Sequence, residues 1–182
     1  AAVSHEAGPL NLAPTSSTTA VLALGDALAV ALLKARAFTP DDFALSHPAG
    51  SLGRRLLLTV RDLMHTGDEL PAVQEGTPLK TAVVQMSGKG LGMLAVTDGA
   101  GSLKGILTDG DLRRLFETHD HFSGLTVNDV MKRTPVTITP DKLASEAVKL
   151  MQQKKIGGLL VCENGKLEGA LNMHDLLKAR VV

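Results

Sequence analysis

Apolar positions along the chain fall into helical and strand periods in turn, and the same succession occurs twice. Leu79, Ala82, Val83 and Met86 share one face of a predicted helix, and Leu143, Ala147, Leu150 and Met151 share the corresponding face of a second. Each helix is followed by two short apolar runs, at 93–97 and 103–107 in the first case and at 159–162 and 167–171 in the second. Asp98-Gly99-Ala100-Gly101 separates the first pair of runs, and Asn164-Gly165 lies between the second pair. Such turns predict hairpins, because they need residues that tolerate positive φ. Each hairpin then breaks into a polar residue and a basic, leucine-bearing tail, the pattern of a strand feeding a helix N-terminus.

The succession is a sequence repeat. Gly105-Ile106-Leu107-Thr108-Asp109-Gly110-Asp111-Leu112 returns as Gly169-Ala170-Leu171-Asn172-Met173-His174-Asp175-Leu176. Val60-Arg61-Asp62-Leu63-Met64 returns as Val127-Asn128-Asp129-Val130-Met131, with small length changes between copies confined to loops. The copies span 60–126 and 127–182, and each reads strand, helix, hairpin, helix. Their strand-to-helix junctions gather free backbone N–H groups, an oxygen side chain (Thr108, Asn172) and a carboxylate (Asp111, Asp175). Arg113 and Arg114 follow in the first copy. This chemistry can hold a ribose or a phosphate. The same spacing is also that of a capping box, in which the acid reaches back to the residue that caps the helix. The two readings are compatible.

Residues 1–59 stand outside the repeat. The nearly unbroken apolar stretch 20–33 predicts a helix that must be buried in a larger body, which sixty or so residues cannot supply alone. The chain is therefore expected to lack the N-terminal part of a longer protein. The stretch contains Gly25 and Asp26 and, at that length, is too short to cross a bilayer. The hydroxyl cluster Thr15-Ser16-Ser17-Thr18-Thr19 reads as helix caps, with a polyanion lining as the second reading. Thr39-Pro40-Asp41-Asp42 opens a further short helix. Lysine plus arginine and aspartate plus glutamate both total 19, and the aromatics are four Phe with no Trp or Tyr. A neutral chain with so little for bases to stack on is not expected to bind nucleic acid. The single cysteine, Cys162, lies in an apolar run and points to a packed thiol in a reducing compartment. His47, in Ser46-His47-Pro48-Ala49-Gly50-Ser51-Leu52-Gly53-Arg54-Arg55, sits in a rigid loop beside two arginines. It is a candidate for proton transfer near neutral pH.

Three blocks of these residues closely resemble the D-arabinose 5-phosphate isomerases: the stretch from Glu6-Ala7-Gly8-Pro9 to Thr19, Gly25-Asp26-Ala27-Leu28, and Ser46-His47-Pro48-Ala49-Gly50. Members of that family join a sugar isomerase (SIS) domain to a pair of cystathionine-β-synthase-type (CBS) repeats. The resemblance implies an α/β fold, a tandem CBS pair of β-α-β-β-α units preceded by the C-terminal helical remnant of an αβα SIS domain. Gly8 and Ala49 depart from the usual cysteine and glycine of the family. The implied reaction interconverts D-ribulose 5-phosphate and D-arabinose 5-phosphate through an enediol, in lipopolysaccharide biosynthesis. Glu6 and His47 fall on its active-site positions. The phosphate-gripping loops of the family lie outside this chain, so the segment alone is expected to be inactive. The resemblance further implies a cytoplasmic homodimer or homotetramer with no required cofactor, no metal and no membrane. It also implies a regulatory CBS pair that takes a nucleotide or nucleotide-sugar at Thr108, Asp111, Asn172 and Asp175, to which Arg113 and Arg114 add charge by their place beside the first junction. A stand-alone ligand sensor and a purely structural dimerising pair are the alternatives.

Overall fold

The computed structural model describes residues 1–40, 42–43, 57–118 and 122–182. The chain divides into two compact units, 1–46 and 47–182.

The first unit is built on α1 (Ser16–Ala35), none of whose residues is buried. Val21, Leu22, Leu24, Leu28, Val30, Leu32 and Leu33 are all exposed, so the helix presents the apolar surface that the pattern predicts without a covering partner in its own unit. It closes where Ala37 turns left-handed (φ 49) and Phe38 N–H donates to Leu33 O at 3.0 Å. One expectation needs correction. The helix has 20 residues, because the hydroxyl cluster and the basic end join the apolar stretch, and its length and composition suffice to cross a bilayer. Length therefore does not exclude a membrane, although Gly25 and Asp26 still sit within the helix.

The second unit contains β1 (Ala72–Gln74), α2 (Leu79–Lys89), β2 (Met93–Thr97), β3 (Leu103–Thr108) and α3 (Asp109–Thr118). A short helix α4 (Val127–Val130) leads to the same series again: β4 (Thr137–Ile138), α5 (Ala144–Lys154), β5 (Gly158–Glu163), β6 (Lys166–Asn172) and α6 (Met173–Lys178). Each copy forms a three-stranded sheet in chain order, its first two strands parallel and its last two antiparallel. The second hairpin turns on Asn164 (φ 51) and Gly165 (φ 79), the left-handed pair that Asn-Gly supplies most cheaply. α2 buries Leu79, Ala82 and Met86 as its spacing predicts. α5 buries Ala144, Ala147 and Met151, while Leu143 is its N-cap residue, so its inner face begins one residue later than expected.

The copies interlock. Val60 from the start of the first copy is fully buried among Ala147, Met151, Leu159 and Leu171 of the second. Val127 and Met131 from the start of the second copy pack among Met86, Leu94 and Leu107 of the first. Matching backbone bonds tie each leader down: Ala144 N–H donates to Leu58 O at 2.8 Å, and Leu79 N–H donates to Leu125 O at 2.9 Å. His65 exchanges a pair of bonds with Ala170 as Lys132 does with Ile106, so His65 and Lys132 are structural equivalents. The sequence period and the spatial unit thus differ, since each leader completes the core of the other copy. Between the sheets lie Met93, Ala95, Ile106, Leu160 and Ala170, where small residues bring the strands close.

Candidate functional site

β3 hands over to α3 at Thr108. Thr108 Oγ1 donates to Asp111 Oδ2 at 2.5 Å, Thr108 N–H donates to the same oxygen at 3.0 Å, and Asp111 N–H returns a bond to Thr108 Oγ1 at 3.3 Å. The capping box is therefore formed. It does more than end a strand, because Asp111 is only 7% exposed and its other oxygen, Oδ1, meets Arg114 Nη2 at 2.5 Å and Lys132 Nζ at 3.1 Å. Burial opposes ionisation of Asp111, but the Thr108 hydroxyl, Lys132 and Arg114 outweigh it and hold the carboxyl below its usual range.

The second junction repeats the cap with a different counter-charge. Asn172 N–H donates to Asp175 Oδ2 at 2.8 Å, and Asp175 N–H donates to Asn172 Oδ1 at 3.1 Å. Asp175 Oδ1 lies 3.0 Å from Nε2 of His65, whose Nδ1 lies 2.8 Å from Glu69 Oε2. Burial would lower the pKa of His65, yet the neighbouring Asp175 and Glu69 carboxylates prevail and raise it.

Between the copies opens a cavity of about 740 Å³. Thr108, Arg113, Arg114 and Asn172 line it, and so do Lys132, Lys155, Asp109 and His174. Ile106, Met93, Val136, Ile156 and Met173 make the rest of its wall largely apolar. An apolar chamber with cations near one strand-to-helix junction can accept a flat ring and an anionic group together. Asp111 and Asp175 are not among the lining residues, and their carboxylates are held by the caps, by Arg114 and Lys132 of the cavity wall in the case of Asp111, and by His65 in the case of Asp175. The structure thus brings Thr108, Arg113, Arg114 and Asn172 to the wall of one cavity, while Asp111 and Asp175 are not on that wall. Lys132 and Lys155 were not foreseen, although Lys132 follows the repeated Asp-Val-Met directly and that adjacency was a usable signal.

Glu6 has a local task in the first unit. Its Oε2 accepts from Thr15 N–H at 2.7 Å, Thr15 Oγ1 at 3.2 Å and Ser17 N–H at 3.2 Å, at the N-terminus of α1. The Ser17 hydroxyl and then the Thr15 amide pull its pKa down to about 2. The hydroxyls of Thr18 and Thr19 turn back to Thr15 O at 2.9 Å each. A carboxylate thus occupies the place where the second reading of this cluster put a polyanion. His47 lies outside the described residues, so no geometry between it and Glu6 is established. Cys162 is half-buried, and burial raises its pKa, which leaves an unreactive thiol.

A family description, the CBS domain, matches residues 60–118 and 127–182. The chain is 55% identical over 183 residues to arabinose 5-phosphate isomerase KdsD of Pseudomonas aeruginosa, covering 100% of this chain and 56% of that protein. It is 53% identical over 180 residues to the protein of the same name in Escherichia coli K12, covering 99% and 55%. The chain thus spans about half the length of these curated relatives. Among solved structures, CBSX2 of Arabidopsis thaliana in complex with AMP superposes with a TM-score of 0.57 at 26% identity, covering 67% of this chain and 95% of that one.

Proposed function

Since the chain belongs to the CBS domain family, with its two copies at 60–118 and 127–182, we propose that it is the regulatory C-terminal half of an aldose–ketose isomerase. The reaction is the interconversion of D-ribulose 5-phosphate and D-arabinose 5-phosphate, in a cytoplasmic homo-oligomer serving lipopolysaccharide biosynthesis. The match to the isomerases runs over the whole chain and not only over the CBS copies. That favours the isomerase over a stand-alone sensor, which would have no use for residues 1–59. Enediol formation needs a group that moves a proton between adjacent carbons and another that steadies developing charge. Of the two candidates, His47 is assigned the proton transfer. A carboxylate held near 2, as Glu6 is, makes a weak base, so Glu6 is assigned to orientation and charge.

The inter-repeat cavity is the regulatory site of this proposal, and it takes a nucleotide or nucleotide-sugar. The observation that carries the reading is the chamber of about 740 Å³ with Thr108, Arg113, Arg114 and Asn172 on its wall. CBSX2, which matches this pair, was solved with AMP. Calorimetric titration of the chain with adenine and cytidine nucleotides and with nucleotide-sugars tests it. Heat of binding that disappears when Arg113 and Arg114 are both replaced by Ala supports the site, whereas no binding by any of them makes the pair a scaffold. Control of the enzyme requires in addition that the ligand favour one arrangement of the isomerase over another.

A further inference from the structure

We propose that the two equivalent junctions are chemically specialised, so that one nucleotide binds per chain, in the cavity that Asn172 also lines, with its phosphates among Arg113, Arg114, Lys132 and Lys155, and the equivalent place beside His65, Gly90, Leu177 and Lys178 takes none. This rests on the nucleotide reading above and adds to it the stoichiometry and the part of the ligand that is recognised.

The duplication allows a direct comparison, because each cation has an equivalent in the other copy. The backbone pairing of Ile106 with Lys132 and of Ala170 with His65 makes His65 the equivalent of Lys132. The junction repeat makes Leu177 the equivalent of Arg113 and Lys178 that of Arg114. Lys155, which ends α5 just before Ile156-Gly157, corresponds to Gly90, which ends α2 just before Leu91-Gly92. One junction therefore gathers four permanent cations, two of them (Arg114 and Lys132) paired with Asp111, with Asp109 beside them. The other has Lys178 and a histidine held between Glu69 and Asp175. An anion is drawn more strongly to the first than to the second.

Lys155 supplies an independent sign. It sits at φ 53, ψ 46, in the left-handed region that costs a side-chain-bearing residue but not glycine. Gly90 fills the equivalent place at φ 68. Glycine would serve the helix end at less cost, and the cavity that Lys155 lines gives the lysine a use that the helix end does not require. Among the described residues neither Lys155 nor Arg113 is recorded in an ion pair, which leaves both charges available to a ligand.

The test is calorimetry on the whole chain with adenosine, AMP and ATP and with cytidine, CMP and CTP, repeated on Lys155→Gly. In at least one series, affinity is expected to rise from nucleoside to triphosphate, with one ligand per chain. Lys155→Gly should melt at a higher temperature while binding the triphosphate at least about tenfold more weakly, the scale of one charge-assisted hydrogen bond, and leave the nucleoside unaffected. Two ligands per chain, equal affinity for nucleoside and triphosphate, or wild-type triphosphate binding by Lys155→Gly overturns the specialisation while leaving the nucleotide reading in place. No binding in either series overturns the specialisation, and no binding of nucleotide-sugars as well overturns the reading it rests on.

Discussion

Asp111 and His65 respond to pH in opposite directions, and each contributes to stability within its own window. The pKa of Asp111 is lowered by folding, so its contribution is present above about 3.9 and is lost as pH falls through the folded value. That of His65 is raised, so its contribution is complete below about 6.5 and is lost as pH rises through the folded value. Thermal melting of His65→Gln should therefore lose a decline that the wild type shows from slightly acid to slightly alkaline pH. An unchanged pH profile would show that the Asp175–His65–Glu69 contact adds nothing in solution. Asp111→Ala removes a cap and leaves Lys132 and Arg114 without their buried partner. A loss of about 1–3 kcal/mol in denaturant unfolding is expected, larger than for Asp129→Ala, whose exposed carboxylate caps α4 alone. The local cap at each of these residues was legible from the spacing of Thr108 and Asp111 or of Asn172 and Asp175. The cation behind it was not, because Lys132 and His65 arrive from distant parts of the chain.

Among the elements, the strand before each junction depends on a glycine that accepts the other copy's leader. A Cβ on Gly105 would lie 2.6 Å from Met131 Sδ and 2.9 Å from Lys132 O, and one on Gly169 would lie 2.7 Å from Met64 Sδ and 3.0 Å from His65 O. The methionine can shift, but the backbone carbonyl is held by the paired bonds to the same strand. Gly105→Ala and Gly169→Ala should each destabilise by roughly 1–3 kcal/mol, measured by chemical unfolding. Gly99→Ala, with open space around it, should cost far less. The hairpins and α2 follow from turn chemistry and periodicity, which act within a few residues. The one-residue displacement of α5's inner face has a tertiary cause. Ala144 N–H donates to Leu58 O, so the leader crosses the first turn of the helix and buries Ala144 in place of Leu143.

For the whole molecule, the exchange of leaders predicts that a chain cut before residue 66 loses part of the second copy's core although it keeps both repeat hairpins. Val60→Ala should already cost roughly 1.5–3 kcal/mol by urea unfolding, the scale of one fully buried valine. Equal stability of chains beginning at 57 and at 66 would show that the leader is dispensable. Limited proteolysis should cut within 1–46 first, because α1 buries none of its residues, and leave a core that includes 57–182. The sequence by itself determined the duplication, the hairpins, the capped junctions and the unpartnered helix, since each arises from side chains acting on their own backbone or on near neighbours. It also carried the likeness to the isomerases. Only the tertiary structure decided that each leader serves the opposite copy, that the two acids are not on the cavity wall, and that Lys132 and Lys155 join Arg113 and Arg114 around one chamber. Those facts depend on which surfaces meet when each leader packs against the other copy, and residue order along one copy does not encode that.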